Sequence, residues 1–216
     1  MADADVFVKI ETLQPTFSYK IRGAFNAVAR LIEAGYDGRP LVTASAGNHG
    51  RALAHAARDA RIPLTVYVPE NAPRTKIDAI GALGAELRFC RDYDDAEVQA
   101  KAHGATGDAL FISPYSHPDV IAGAGTVGLE ILEDQPDIDT VVVPIGGGGL
   151  ISGIATAMRA LSDRAQVIGV EVEASSALSQ SVAAGRIVTI EPGETIADGL
   201  GGNLDPESIT FAIIRD

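Results

Sequence analysis

Three features of this sequence predict an α/β protein whose mostly parallel sheets are flanked by helices. Short runs rich in Val, Ile and Leu alternate with longer stretches whose apolar residues recur at three and four, the pattern of strands joined by crossover helices. One run, "TVVVPI", leads through four consecutive glycines into an apolar helical stretch, "LISGIATAMRAL". The composition, 46% hydrophobic and 21% charged over 216 residues, suits a globular chain with one sizeable core or two small ones.

In chain order, the expected strands are "DVFVKI" (5–10), "LVTAS" (41–45), "LTVYV" (64–68), "ELRFC" (86–90), "ALFI" (109–112), "TVVVPI" (140–145), "VIGVEV" (167–172) and "RIVTI" (186–190). Eight strands exclude an all-helical fold. Between them, "NHGRALAHAARDA" has the spacing of a crossover helix, and "RTKIDAIGALGAE" reads as another, with Gly84 placed to cap its carboxyl end. "RDYDDAEVQAKA" opens with clustered acids, and Asp94 and Asp95 suit a helix amino terminus. The segments 41–63, 64–85 and 86–108 have similar lengths, a repetition of geometry and not of sequence. Cys90, the single cysteine, is expected as a buried strand residue, and it excludes an internal disulfide framework or a multi-cysteine metal site. His55, His103 and His117 stand singly and are expected at the surface or at helix ends.

The formal charge of −12 repels phosphate backbones and anionic membranes. No apolar run approaches the roughly 18 residues of a membrane helix. The amino terminus, "MADADVFVKIE", lacks the basic and long apolar parts of a secretion signal, so the expected address is the cytoplasm.

Three segments carry the chemistry. Lys20, in "LQPTFSYKIRGAFNA", is one of four lysines against thirteen arginines; its amine can lose a proton and attack, which a guanidinium cannot. Gly146 to Gly149 let the backbone turn sharply and present N–H groups at a helix amino terminus, a cradle for phosphate. No Lys-Ser or Lys-Thr pair follows, so this is not a P-loop, and Ile151 stands where G-x-G-x-x-G needs its third glycine. A dinucleotide site stays open as the runner-up, because Glu171 lies about twenty residues past the glycines, where a ribose-binding acid would stand. In "VTASAGNHGRALAHAA", small polar residues follow a strand and His49 and Gly50 open a helix, which suits a carboxylate as well as an ordinary capped loop. Arg22 either pairs with a core carboxylate or shapes the entrance to a site.

A nucleophilic amine, a phosphate cradle and an anion loop are the set that pyridoxal phosphate needs. On the segments "LQPTFSYKIRGA", "SAGNHG" and "GGGGL", with "AGAGTVGLEI" and "ETIADGL" matching two further stretches, the sequence resembles the serine/threonine dehydratases, within the tryptophan-synthase-β-like fold (fold type II) of pyridoxal-phosphate enzymes. The resemblance runs along nearly the whole chain. It implies that Lys20 holds pyridoxal 5'-phosphate as a Schiff base and then removes the substrate's α-proton. Tyr19 would pack near the cofactor ring and Asn48 would bond its hydroxyl. In the same loop as Asn48, Ser45, Ala46, Gly47 and His49 would hold the substrate carboxylate. Gly146, Gly147, Gly148, Gly149 and Leu150 would bind the phosphate. The implied activity is that of an ammonia-lyase, eliminating water from L-threonine, L-serine or a related hydroxy amino acid to give a 2-oxo acid and ammonia.

The sequence also departs from that family. Phe17 stands where the family usually has glycine, which puts a bulky ring beside the lysine loop. Relatives usually have an arm before "DVFVKI" and a long segment after "ETIADGL", including the hydroxyl or thiol that faces the pyridine nitrogen, so the chain reads as truncated at both ends. No metal is expected: Glu171 matches the first acid of the family's divalent-cation site, but Ala177 stands at the second. Serine racemases carry a serine where Ala46 stands, so elimination is favoured over inversion. The expected organisation is a large cofactor domain of residues 1–22 and 127–216 and a small domain of 23–126, with the cofactor between them, in a homodimer acting on a small amino acid. A nicotinamide-dependent oxidoreductase and a truncated, non-catalytic domain are the alternatives.

Overall fold

The computed structural model of the chain describes residues 4–215, so residues 1–3 and 216 of the expected large domain lie outside the described residues. Two parallel sheets organise it. The first contains β1 (Leu41–Ala44), β2 (Leu64–Pro69), β3 (Glu86–Cys90) and β4 (Leu110–Phe111), in the order β3-β2-β1-β4. Leu41 is in register with Leu64 on one side and Leu110 on the other. The chain therefore builds outward from β1 to β3 and then returns to the opposite side of β1. The second sheet pairs β5 (Thr140–Pro144) with β6 (Gln166–Val170). The helices are α1 (Lys20–Glu33), α2 (Asn48–Ala60), α3 (Arg74–Gly81), α4 (Tyr93–Ala105), α5 (Pro118–Asp134), α6 (Gly149–Leu161), α7 (Ala177–Ala184) and α8 (Ile209–Arg215).

Local sequence explains the elements. Every residue of β1 and β2 is buried, which is why these strands read as mainly apolar runs, broken only by Thr43 and Thr65, rather than as alternating ones. α1 buries Ile21, Ala24, Ala27 and Val28, one face at helical spacing. α4 starts where the Asp92 carboxylate accepts the Asp95 N–H at 2.8 Å, so the cap is Asp92, with Asp94 and Asp95 in the first turn behind it. Gly84 has φ +89°, three residues beyond the end of α3. Cys90 is buried at the end of β3. His117 is the cap of α5, accepting the Asp119 N–H, and His103 lies in the last turn of α4.

One core lies against the first sheet and contains Leu41, Leu53, Val66, Val68 and Ile80. A second contains Val143, Ile151, Ile154, Met158 and Phe211 beside the second sheet, and a third joins Val42, Tyr67 and Cys90 of the first sheet to Ala96 and Ala100 of α4. α5 serves the first two, through Val120 in the first and Val127 in the second. Burying a large aliphatic side chain such as Leu41 or Met158 contributes about 1.5–3 kcal/mol each. Among the described residues no helix is long and apolar enough to cross a membrane.

Two expected strands do not form. Residues 5–10 form no strand: Val6 and Val8 are both 76% exposed, and no neighbouring strand pairs with them. Residues 186–190 are likewise unpaired. The Asn203 side chain takes the place of a partner strand there, accepting the Ile190 N–H at 2.8 Å and donating to the Ile190 carbonyl at 3.0 Å. High β propensity without a partner does not make a strand.

Candidate active site

α5 brings the lysine and the glycine loop together. A Cβ on Gly123 would stand 2.4 Å from the Arg22 carbonyl oxygen, so only glycine lets α1 approach α5 at its first turn. A Cβ on Gly153 would stand 2.4 Å from the Ile121 carbonyl oxygen, and the same argument holds for α6. With both helices seated on α5, Lys20 and Gly149 line one small cavity, together with Tyr19, Pro114 and Ala124. The Lys20 amine donates to the Pro114 carbonyl at 2.7 Å and lies 5.3 Å from the centre of the Tyr19 ring.

The first sheet supplies the opposite wall. Its order reverses at β1, and in open parallel sheets ligands bind beyond the carboxyl ends of the strands that flank such a reversal. The "SAGNHG" loop follows β1, and Pro114 and Tyr115 follow β4. In the loop, Ser45 and Ala46 are buried, Gly47 is half-buried and Asn48 is exposed at the start of α2. The Ser45 hydroxyl accepts the Gly47 N–H at 3.2 Å. His49 is 2% exposed, and neither ring nitrogen has a hydrogen-bond partner among the described residues. Burial, and next the charge of Lys20, push the His49 imidazole down to about 3; the Ile112 carbonyl favours the charged ring but does not reach hydrogen-bond geometry. The ring is therefore neutral at pH 7. Thr16 Oγ1 and Ser18 Oγ, in the lysine loop, are also buried without partners. Each such group costs about 1–3 kcal/mol unless something satisfies it.

The glycine loop leads from β5 into α6. Gly148 has φ +83°, a left-handed turn that glycine adopts freely. A Cβ on Gly147 would stand 2.4 Å from the Tyr115 ring, which packs flat against the loop. The Tyr115 hydroxyl accepts the Asp205 N–H at 2.8 Å, and burial raises the phenol above its ordinary range. Leu150 is half-buried against the second core, and Ser152 Oγ, one turn into α6, is buried without a partner. Tyr115 went unnoticed in the sequence; its signal is an aromatic residue directly beyond the end of a strand.

Phe17 adopts φ +59° with its ring 61% exposed. The backbone at this position demands a left-handed residue, which accounts for the glycine usual in the resembling family. Phenylalanine costs about 1–2 kcal/mol there. The Arg51 guanidinium, 4.7 Å from the ring centre, returns about 0.5–1 kcal/mol.

Ion pairs hold the surroundings. Arg22 pairs with both Glu11 and Glu130, which ties the segment before the lysine loop to α1 and α5. Lys76 and Lys101, from α3 and α4, pair with Asp198 and Asp205, in the segment that packs against Gly146. Glu171, the acid considered for a ribose, accepts the Leu178 N–H at 2.9 Å and the Ser179 N–H at 2.8 Å. Its oxygens are committed to the start of α7, which removes the main support for a dinucleotide site. Among the described residues no group of three or more His, Cys, Asp or Glu is arranged to hold a metal.

A family profile described as "Pyridoxal-phosphate dependent enzyme" matches residues 1–216. The chain is 42% identical over 213 residues to L-threonine ammonia-lyase of Thermotoga maritima, covering 98% of this chain and 52% of that protein. It is 40% identical to serine racemase of Homo sapiens, over 98% of this chain and 63% of that one. Among solved structures, the processed form of threonine deaminase isoform 2 from Solanum lycopersicum superposes with a TM-score of 0.88 at 35% identity, covering 96% of this chain and 60% of that one. The chain thus spans between about half and two thirds of the length of these relatives.

Proposed function

Because the chain belongs to the family of pyridoxal-phosphate-dependent enzymes, we propose that it serves as an ammonia-lyase, eliminating water from a β-hydroxy amino acid such as L-threonine or L-serine and releasing a 2-oxo acid and ammonia. The observation that carries this reading is the meeting of the Lys20 amine and Gly149 in one cavity.

Three features support the fit of the cofactor. Lys20 has a carbonyl, not a carboxylate, as its hydrogen-bond partner, so its amine is not held in an ion pair. The glycine loop presents backbone N–H groups and the start of α6 to an anion, with the unpartnered Ser152 hydroxyl one turn behind. Unpartnered polar atoms on Thr16, Ser18 and His49 gather around the lysine loop and the "SAGNHG" loop. On this reading Lys20 holds the cofactor, Tyr19 packs beside its ring, Asn48 bonds the ring hydroxyl, and Gly146 to Gly149 with Leu150 hold the phosphate. Ser45 to His49 hold the substrate carboxylate, where the neutral His49 ring can offer an N–H without adding a second buried cation.

When bound, the cofactor supplies an electron sink for the electron pair left at the substrate's Cα. The protein's part is positional. Lys20 Nζ takes the proton from Cα, the carboxylate loop fixes the orientation of that bond, and water leaves from Cβ. Residues 1–22 and 127–216 form the larger unit of this proposal and 23–126 the smaller, with α5 shared between their cores. A cytoplasmic homodimer completes the reading; the exposed apolar residues Val6, Phe7, Val8 and Leu13 support association.

The test is direct. The chain incubated with pyridoxal phosphate should develop the visible absorption of bound cofactor and form 2-oxobutanoate and ammonia from L-threonine. Visible absorption without 2-oxo acid from either L-threonine or L-serine would contradict the ammonia-lyase reading.

A further inference from the structure

We propose that Tyr115 is a positioning residue of the cofactor site: together with Pro114 before it, it fixes how far the phosphate cradle stands from the Lys20 amine. This rests on the reading of Gly146 to Gly149 as that cradle and deepens it. Pyridoxal phosphate is rigid between the aldehyde carbon, which an amine attacks, and the methylene that carries its phosphate. Amine and cradle must therefore be held at a matching spacing. Two adjacent residues reach both ends of that span: the Pro114 carbonyl accepts the Lys20 amine at 2.7 Å, and the Tyr115 ring packs against the glycine loop.

The contact with the loop is broad. A Cβ on Gly147 would stand 2.4 Å from Cγ of the tyrosine ring and 2.6 Å from both Cδ atoms, so the main chain of the loop rests on the ring itself. A Cβ on Gly149 would stand 3.0 Å from the Tyr115 Cα and from its carbonyl oxygen. One residue thus supports Gly147 and Gly149, with the left-handed turn at Gly148 between them. Moving it would re-aim the N–H groups that a turn and a helix amino end offer to an anion.

Tyr115 is itself held firmly. The hydroxyl of buried Ser113 accepts the Ser116 N–H at 3.0 Å, which closes the turn around Pro114 and Tyr115, and proline removes one backbone rotation from that turn. The Tyr115 hydroxyl accepts the Asp205 N–H at 2.8 Å, and Asp205 pairs with Lys101 of α4. The Thr210 hydroxyl donates to the Gly147 carbonyl at 2.9 Å, so the segment 205–210 holds both the tyrosine and the loop it supports. The turn at 113–116 connects β4 to α5. The first sheet therefore sets the place of a loop built on the second, and Tyr115 acts through Gly147 and Gly149 rather than on the substrate.

Pyridoxal, which has the aldehyde and a hydroxyl in place of the phosphate, separates a role in the cradle from a role in folding. Absorbance titration of the chain should show pyridoxal phosphate binding more tightly than pyridoxal. Tyr115→Leu, which keeps apolar volume and removes the flat ring, should weaken pyridoxal phosphate about tenfold and leave pyridoxal within about twofold. Tyr115→Phe keeps the ring and gives up only the contact with Asp205; its preference for the phosphate should stay within about twofold of wild type. Equal weakening of both ligands in Tyr115→Leu, or a preference there unchanged from wild type, would overturn the proposal. Should Tyr115→Leu fail to fold, Tyr115→Phe decides alone, and a tenfold loss of its preference would overturn the proposal. A wild-type chain that binds both ligands equally would sink the cradle, and the proposal with it. A preference that depends on Tyr115 in a chain forming no 2-oxo acid from L-threonine or L-serine would support the proposal and sink the ammonia-lyase reading instead.

Discussion

Replacing Arg22 by methionine keeps most of the side-chain volume and removes every hydrogen bond of the guanidinium. The guanidinium, 13% exposed, donates to both oxygens of Glu11 at 2.8 Å, to those of Glu130 at 2.6 and 2.8 Å, and to Thr126 Oγ1 at 3.0 Å. Removing one partner of a buried ion pair costs about 3–5 kcal/mol. Here the Glu130 side chain is 40% exposed and keeps Lys9, so it can turn to water, and most of the cost falls on Glu11, which is 16% exposed. The expected loss is about 2–3 kcal/mol. In a chain of this size that lowers the thermal midpoint by about 4–12 °C. Hydrogen bonds from Arg22, and next from Lys9, hold the Glu130 carboxyl at about 2, below its ordinary 4.5. A carboxyl depressed in the folded state stabilises fully above the unfolded value, and that stability is lost as pH falls from 4.5 towards 2. At face value the depression is worth about 3 kcal/mol; screening at a carboxylate this exposed reduces it to about 1 kcal/mol. Circular dichroism melts of wild type and Arg22→Met should therefore differ most at pH 7, and the difference should narrow by about 1 kcal/mol as pH falls from 4.5 towards 2. A midpoint unchanged at pH 7, or a deficit that stays constant across the acid range, would refute this account of the network.

Gly147→Ala should force the Tyr115 ring, 2.4 Å from the new Cβ, away from the glycine loop; the expected cost is about 1–3 kcal/mol of stability and about tenfold in cofactor affinity by absorbance titration, and unaltered affinity would argue against the phosphate cradle. Titration calorimetry with magnesium or calcium should show no tight site, because Glu171 is committed to α7 and Ala177 offers no side-chain oxygen; saturable binding at micromolar metal would contradict this. A chiral assay on the cofactor-loaded chain with L-serine should find little D-serine beside pyruvate. Inversion needs a second acid/base group, the Ser45 hydroxyl is engaged with Gly47, and Ala46→Ser should raise whatever inversion occurs; comparable D-serine and pyruvate in the wild type would overturn the argument.

The parallel strands were legible where both sequence and surroundings agreed. Leu41–Ala44 and Leu64–Pro69 are mainly apolar because both faces are covered, and the glycine loop was legible because four adjacent glycines exceed what a simple turn requires. Residues 5–10 and 186–190 have equally strand-like composition, but pairing is a property of neighbours that a single segment cannot announce. The same limit hid Tyr115 and the Pro114 carbonyl: both act on the site across long sequence separations, the carbonyl on Lys20 ninety-four residues away. Glu171 shows the converse. Its place after a strand suggested a ribose, whereas the fold brings the start of α7 onto its oxygens. Phe17 was visible as a departure from a motif, and only its left-handed backbone and the Arg51 stack give that departure a physical meaning.

The central claim is that Lys20 is the cofactor lysine, and chemical trapping tests it most directly. The other lysines are committed to carboxylates: Lys9 to Glu130 and Asp134, Lys76 to Asp198, and Lys101 to Glu97 and Asp205. Lys20 instead donates to the Pro114 carbonyl beside the glycine loop. Borohydride reduction of the chain with pyridoxal phosphate, followed by peptide mass spectrometry, should place the phosphopyridoxyl group on Lys20 and lose it in Lys20→Ala. A label on Lys9, Lys76 or Lys101 that persists in Lys20→Ala would contradict the account.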